Sequence, residues 1–278
     1  MKSFDGKVAA ITGAGSGIGR GLALALAKRG CHLSLSDVNE VGLAETAEQA
    51  ARNGVKVTRA KVDVADRDRV FAWAETTVED HGRANLVFNN AGVAHSSTVE
   101  RTAYEDFVWI MNINFWGVVH GTQAFLPYLR ASGEGHVVNI SSVFGLIGVI
   151  GQSTYNATKF AVRGYTEALR QELEVSRAPV SATCVHPGGI RTNIARAART
   201  DDAALGEVGM KDPAKARAEF DKMLRISPDV AAETILRGVR KNSPRVLIGP
   251  EAYAIDWTQR LMPATYQRVM AALARRRL

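Results

Sequence analysis

Apolar positions along this chain alternate between two rhythms. Short β-branched or apolar runs, VAAIT, LSLS, VKVTRAKVD, NLVFN, HVVNIS, VSATCV and RVLIG, read as seven strands. Longer stretches with helical spacing lie between them: GLALALAKRG, VGLAETAEQAARNG, DRVFAWAETTVEDHG, one helix from about Tyr104 to Arg130, and KFAVRGYTEALRQELEV. The strands are almost uninterrupted in apolar residues, as strands covered on both faces should be. Alternation of strand and helix predicts an α/β fold: a doubly wound, seven-stranded parallel sheet of the Rossmann type, with helices on both faces. No repeat and no Gly/Ser/Pro linker interrupts the pattern, so residues 1–278 are expected to form one domain. Residues 193–227 break the rhythm. They are charged, Ala-rich and punctuated by apolar residues such as Leu205, Met210, Phe220 and Met223, and are expected to form a lid over a substrate site.

Composition narrows the classes. Cys31 and Cys184 stand far apart and outside any C-x-x-C, which argues against a disulfide framework or a thiolate metal site; no metal is expected. The opening MKSFDGKVAAITG enters a strand at once without a signal-peptide hydrophobic region. The longest apolar stretch, VFGLIGVIG, is too short to span a bilayer, so a cytoplasmic protein is expected. The net charge of +7 is uneven. Five arginines and no acid fall in residues 260–278, leaving +2 for the rest. Without aromatic residues interleaved in a basic stripe, nucleic-acid binding is not expected. The basic, helically spaced tail at 251–278 is expected to pack on the body or on another subunit rather than on a membrane surface.

The chemistry begins after the first strand. TGAGSGIG places Gly13, Gly17 and Gly19 with Ser16 and Ile18 between strand and helix. Glycine there permits a tight turn and close approach of backbone to a pyrophosphate, and the helix N-terminus offers free N–H groups. Asp37 ends the second strand. A carboxylate there binds the ribose 2′-hydroxyl of NAD and repels the 2′-phosphate of NADP, so NAD is favoured, with Arg20 and Arg59 as the residues that argue for NADP. Asp63, followed by Val64, is a candidate for the adenine amino group and equally a turn or cap acid. Tyr155 and Lys159 lie one helical turn apart on one face. A phenol of pKa about 10 is a poor base at neutral pH, and the Lys159 cation is expected to lower it.

These motifs, in this order, resemble the short-chain dehydrogenase/reductase family in its compact single-domain branch. TGAGSGIG is similar to the family's cofactor turn. NNAG (Asn89 to Gly92) is similar to the motif after strand four, carrying Asn90, Ala91 and Gly92. Asn114 matches the helix asparagine, Ser142 the catalytic serine, and Tyr155 with Lys159 the Y-x-x-x-K pair. HPGGIRTN is similar to the P-G motif, with Pro187, Gly188, Ile190 and Thr192 beside the nicotinamide. The resemblance implies a catalytic set of Asn114, Ser142, Tyr155 and Lys159. Tyr155 would exchange the hydroxyl proton while hydride passes to nicotinamide. Ser142 would hold the reacting oxygen, Lys159 the ribose, and Asn114 a water next to Lys159. The family's interval of thirteen residues before the tyrosine selects Ser142 over Ser141, which is expected to be buried and hydrogen-bonded. His186 is expected to end a strand rather than act as a base. RVLIGPEAYAIDWTQRLMP is similar to acetoin-type or general alcohol dehydrogenase members.

The implied activity is hydride transfer between NAD and an apolar or weakly polar secondary alcohol or ketone, by a homo-oligomer (tetramer or dimer). Ala94, His95, Val143, Phe144 and Val149 are the expected substrate neighbours. Two other readings stand beside it: a dinucleotide-binding regulator without turnover, and a peripheral binder acting through the arginine tail.

Overall fold

The computed structural model describes residues 1–194, 197–208, 222 and 224–275. Met210, Phe220 and Met223 of the expected lid, and the final Arg276, Arg277 and Leu278, lie outside the described residues.

All seven expected strands are present: β1 (Val8–Thr12), β2 (His32–Asp37), β3 (Val57–Lys61), β4 (Leu86–Asn89), β6 (Gly135–Ile140), β7 (Val180–Pro187) and β9 (Arg245–Ile248). They form one parallel sheet in the order β3-β2-β1-β4-β6-β7-β9. The order reverses between β1 and β4. In such sheets the crevice at the carboxyl ends of the strands flanking that reversal is where ligands bind. Strands β1, β4 and β6 are buried along their whole length, as strands covered on both faces are.

Helices α1 (Gly17–Ala27), α2 (Glu40–Ala51), α3 (Arg67–His81), α4 (Tyr104–Met111), α5 (Gly117–Ala131) and α6 (Ser153–Val175) connect the strands. One hydrophobic core joins α1 and the C-terminal α8 (Pro228–Arg240) to one face of the sheet, through Leu22, Leu26, Leu33, Ile235 and Leu236. The other face buries Val70, Trp73, Phe125 and Leu129 from α3 and α5. There the Trp73 and Phe125 rings meet edge-on at 5.0 Å, and the Trp73 indole donates to Ser34 Oγ at 2.9 Å.

Three features differ from the sequence expectation. The helix read from Tyr104 to Arg130 is interrupted by a turn of π-helix at Asn112–Trp116, which carries Asn114. Apolar periodicity cannot register one extra residue in a turn, and such bulges often mark functional positions. Helix α8 was not read as an element, although Ser227 caps it through the Val230 N–H and Pro228 opens it, a standard start signal. Within the expected lid, Arg199–Thr200 (β8) pairs in parallel with His95–Ser96 (β5), and a short helix α7 (Asp202–Glu207) follows. The tail forms α9 (Pro250–Leu261) and α10 (Thr265–Arg275), divided at Pro263. No described helix is long and apolar enough to cross a membrane.

Phe125 is fully buried under Trp73. Phe125→Ala should cost about 3–5 kcal/mol of unfolding free energy, read from the urea midpoint.

Candidate active site

The turn from Thr12 to Gly17 is held by its neighbours. Gly13 and Gly17 have φ of +65° and +52°, which L side chains rarely adopt. A Cβ on Gly13 would lie 2.8 Å from Ala91 Cα, and one on Gly19 would overlap the Gly13 carbonyl. The turn is therefore pressed against the segment after β4. Thr12 Oγ1 fixes that contact by accepting the N–H of Asn90 and of Ala91, both at 3.0 Å. The Asn90 amide donates back to the carbonyls of Thr12 (2.9 Å) and Gly13 (3.2 Å).

Ser16 is the N-cap of α1, yet its side chain makes no capping hydrogen bond, and the first turn carries no acid. The N-terminus of α1 thus lacks a side-chain cap, which suits a pyrophosphate. Thr192 closes the turn from the other side: its Cγ2 lies 3.0 Å from where a Gly17 Cβ would stand.

Asp37 accepts the N–H of Gly15 and of Asn39, both at 2.8 Å. It therefore ties the glycine turn to β2, while Asn39 caps α2 through the Gly42 N–H. Arg20 is committed elsewhere. Its guanidinium donates to the Gly15 and Gly42 carbonyls, Thr46 Oγ1 and Glu45. Arg59 is exposed on β3. The Asp63 carboxylate turns back onto the Ala65 N–H, and Val64 is buried with its carbonyl accepting from His120.

The other half of the site is built on α6. Ser142 leaves β6 in extended conformation, and its hydroxyl accepts the Phe144 N–H at 3.1 Å. It also favours the ionised form of the Tyr155 phenol. Ser141 points the other way and donates to the Lys159 carbonyl at 2.8 Å, so strand alternation separates the two serines as the spacing predicts. Lys159 is buried and donates to the Ile140 carbonyl at 3.0 Å, with its ammonium 5.5 Å from the Tyr155 ring centre. Asn114 Oδ1 accepts the Val93 N–H (2.8 Å), while its amide donates to the Val93 carbonyl (2.9 Å) and to Thr158 (3.2 Å). Asn114 and Lys159 both crowd Gly92: a Cβ there would sit 3.2 Å from Asn114 Oδ1 and 3.5 Å from Lys159 Nζ.

The electrostatics correct one expectation. Lys159 does not bring the Tyr155 phenol down. Burial pushes that phenol up to about 12, with the Ser142 hydrogen bond only partly opposing it. Burial also pushes the Lys159 ammonium down to about 8. In both groups exclusion of water disfavours the charged form. His95 is buried with Nδ1 2.9 Å from Thr154 Oγ1, and its Nε2 lies 3.8 Å from Asp106, so it joins β5 to the start of α6. Phe144 meets the Tyr155 ring edge-on at 5.9 Å, and Val143 is buried at the same loop.

Three supporting residues were not singled out in the sequence. Asn156 holds the loop after Ser142, donating to the Phe144 and Ile147 carbonyls (both 2.7 Å) and accepting the Val149 N–H (3.0 Å). Tyr266 of α10 accepts the Gly148 N–H at 3.0 Å, beside an apolar cavity of about 120 Å³ lined by Ile147, Ile255, Met262 and Met270. Glu251 accepts the Gly189 N–H at 2.7 Å and orients the loop after Pro187. Asn156 carried a signal, a polar residue on the buried face of α6. Tyr266 and Glu251 act across more than 60 residues of chain and carried none.

The Pro187–Thr192 segment is held by β9 and residue 226. Gly188 N–H donates to the Ile248 carbonyl, and Ile190 pairs with Ile226. His186 is fully buried. Its Nδ1 stands 2.9 Å from the Ser142 carbonyl and is the donor there, while Nε2 has no partner. Among the described residues no cluster of three His, Cys, Asp or Glu side chains is placed to hold a metal.

The short chain dehydrogenase family matches residues 7–203. SadH of Mycobacterium tuberculosis, named as an oxidoreductase, is 51% identical over 98% of this chain and 96% of its own length. A short chain dehydrogenase/reductase from Burkholderia phymatum, solved in complex with NAD, is 30% identical, with a TM-score of 0.86 over 96% of each chain. An alcohol dehydrogenase from the archaeon Thermococcus sibiricus, complexed with 5-hydroxy-NADP, is 25% identical, with a TM-score of 0.70 over 87% of this chain and 95% of its own. This chain belongs to the short-chain dehydrogenase family and is an oxidoreductase of that family.

Burial holds His186 neutral, with its pKa pushed down to about 4. Below the unfolded value near 6.5, the unfolded chain takes up a proton that the folded chain refuses. Stability should therefore fall from about pH 6.5 towards pH 4, by up to about 1.4 kcal/mol per pH unit from this residue. Urea midpoints at pH 7 and pH 5 should differ less in His186→Gln than in the wild type.

Proposed function

Starting from that membership, we propose that the chain transfers hydride between NAD and a secondary alcohol or ketone of apolar or weakly polar character. The observation that carries this reading is the grouping of Ser142, Tyr155 and Lys159 at the carboxyl end of β6: Ser142 turns into the loop whose Phe144 meets the Tyr155 ring, and Lys159 lies 5.5 Å from that ring's centre while it donates to the Ile140 carbonyl. Tyr155 Oη takes the substrate hydroxyl proton in oxidation and returns it in reduction. Ser142 Oγ–H donates to the reacting oxygen and fixes its position. Asn114, with its loop at Val93, keeps the region around Lys159 ordered for a proton-carrying water. When bound, the cofactor supplies the hydride acceptor and, in its oxidised form, a positive charge beside the phenol. That charge matters because a phenol held at about 12 is almost wholly protonated at neutral pH, so the base form that oxidation needs is scarce without a cation beside it.

In this reading Gly13, Ser16, Gly17, Ile18 and Gly19 hold the pyrophosphate. Asp37 holds the adenine ribose, and Asp63 with Val64 borders the adenine. Asn90, Ala91 and Gly92 form the wall behind the cofactor, while Pro187, Gly188, Ile190 and Thr192 flank the nicotinamide. NAD is favoured over NADP because Asp37 is acidic and Arg20 is spent on Gly15, Gly42, Thr46 and Glu45. Val143 and Phe144 beside Ser142 and Tyr155 support an apolar substrate. Residues 1–278 act as one domain with residues 193–227 as its lid. A second copy covers the exposed Phe107, Trp116 and Phe160, giving a dimer or tetramer.

Tyr155→Phe should retain cofactor binding, followed by nicotinamide fluorescence, and lose turnover by a factor of about 10³ or more. Wild-type turnover in that variant would overturn the assignment. Asp37→Ser should shift the kcat/KM ratio towards NADP by about tenfold or more, through loss of the repulsive charge. A wild-type enzyme already faster with NADP would refute the cofactor preference.

A further inference from the structure

The two C-terminal helices make an unusual surface. Helix α9 turns Ala252 and Asp256 inward, and Asp256 is paired with Arg245 and Arg260. A different face carries Tyr253, Trp257 and Leu261 at intervals of four, exposed to 54%, 61% and 73%. In a helix that spacing forms one stripe. A water-facing stripe is ordinarily polar. Helix α10 buries only Tyr266 and leaves Val269 and Leu273 half exposed. With Met262, six of the fifteen exposed large apolar residues in the described chain fall between positions 253 and 273. Packing on the body, as the sequence reading expected, thus covers only part of the tail's apolar surface.

The charge beside this stripe is one-sided. No acid follows Asp256 in the sequence, while Arg260, Arg268, Arg275, Arg276 and Arg277 do. Arg268 and Arg275 are exposed and make no ion pair among the described residues. Exposed Trp, Tyr and Leu with unpaired arginines alongside are the composition of a helix that lies in a lipid headgroup layer. A two-fold contact between copies through this face would bring two such arginine sets together, a like-charge cost that an anionic surface turns into attraction.

We propose that α9 and α10 form a peripheral docking surface for anionic lipid bilayers. Trp257 and Leu261 enter the headgroup region, and Arg268 and Arg275 meet the lipid phosphates. The surface is separate from the exposed Phe107, Trp116 and Phe160 on α4, the π-turn and α6, which remain available for contact between copies. It involves none of the residues assigned to proton or hydride transfer, so this inference and the proposed activity stand or fall separately.

Co-sedimentation with vesicles tests it. The full-length protein should bind phosphatidylcholine–phosphatidylglycerol vesicles, leave phosphatidylcholine vesicles unbound, and come off the former as salt rises. Trp257→Glu and the double variant Arg268→Glu/Arg275→Glu should each weaken binding by about tenfold or more, with thermal midpoints close to the wild type. Equal binding to both vesicle types, binding to neither, or wild-type binding by Trp257→Glu would overturn the proposal. So would a lower mass of Trp257→Glu by light scattering, which would make this face a contact between copies.

Discussion

The site depends on one hydrogen-bonded knot. Thr12 ends β1 and its hydroxyl accepts two backbone N–H groups from the chain leaving β4, while the Asn90 amide returns two bonds to the end of β1. β1 and β4 are adjacent in the sheet, and their connections diverge to opposite sides. The crevice between them would otherwise open, because nothing in the ladder itself joins the loops beyond its last pair. Buried backbone donors need partners, and here one hydroxyl satisfies two of them. The glycine turn can then sit against Ala91 with no room for a side chain.

The second half of the site uses the same logic on a helix. α6 presents Tyr155 and Lys159 on one face, and the turn-by-turn neighbours Asn156 and Thr158 hold the surrounding loops. Ser142 is fixed from below by His186 and from the side by its own turn with Phe144. The Ser142 and Tyr155 hydroxyls thus rest on a strand end and a long helix. Their positions are fixed by the protein's own hydrogen bonds and packing. The same burial that fixes these groups also raises the phenol and lowers the ammonium. Order and desolvation come together here.

The tail follows a different pattern. Tyr266 and Glu251 reach back to the loops around the site, so the last helices contribute to its frame as well as to the surface. An aromatic hydroxyl on the Gly148 N–H and a carboxylate on the Gly189 N–H tie two flanking loops to elements more than 60 residues distant in sequence. The outward face of those helices is left to water or to a partner.

The seven strands, their parallel arrangement and the helices between them were legible in the sequence, because a doubly covered strand must be apolar throughout and a covering helix must be apolar on one face. The glycine turn was legible because only glycine fits its positive φ and close contacts. The choice of Ser142 over Ser141 followed from strand alternation together with the motif interval. Tertiary structure alone decided the rest. The π-turn that seats Asn114 adds a residue to a helical turn without changing its composition. The pairing of β5 with β8, the role of His95 and the reach of Tyr266 join residues that no local pattern links. The direction of the Tyr155 shift depended on how far water is excluded, and spacing along a chain does not encode desolvation.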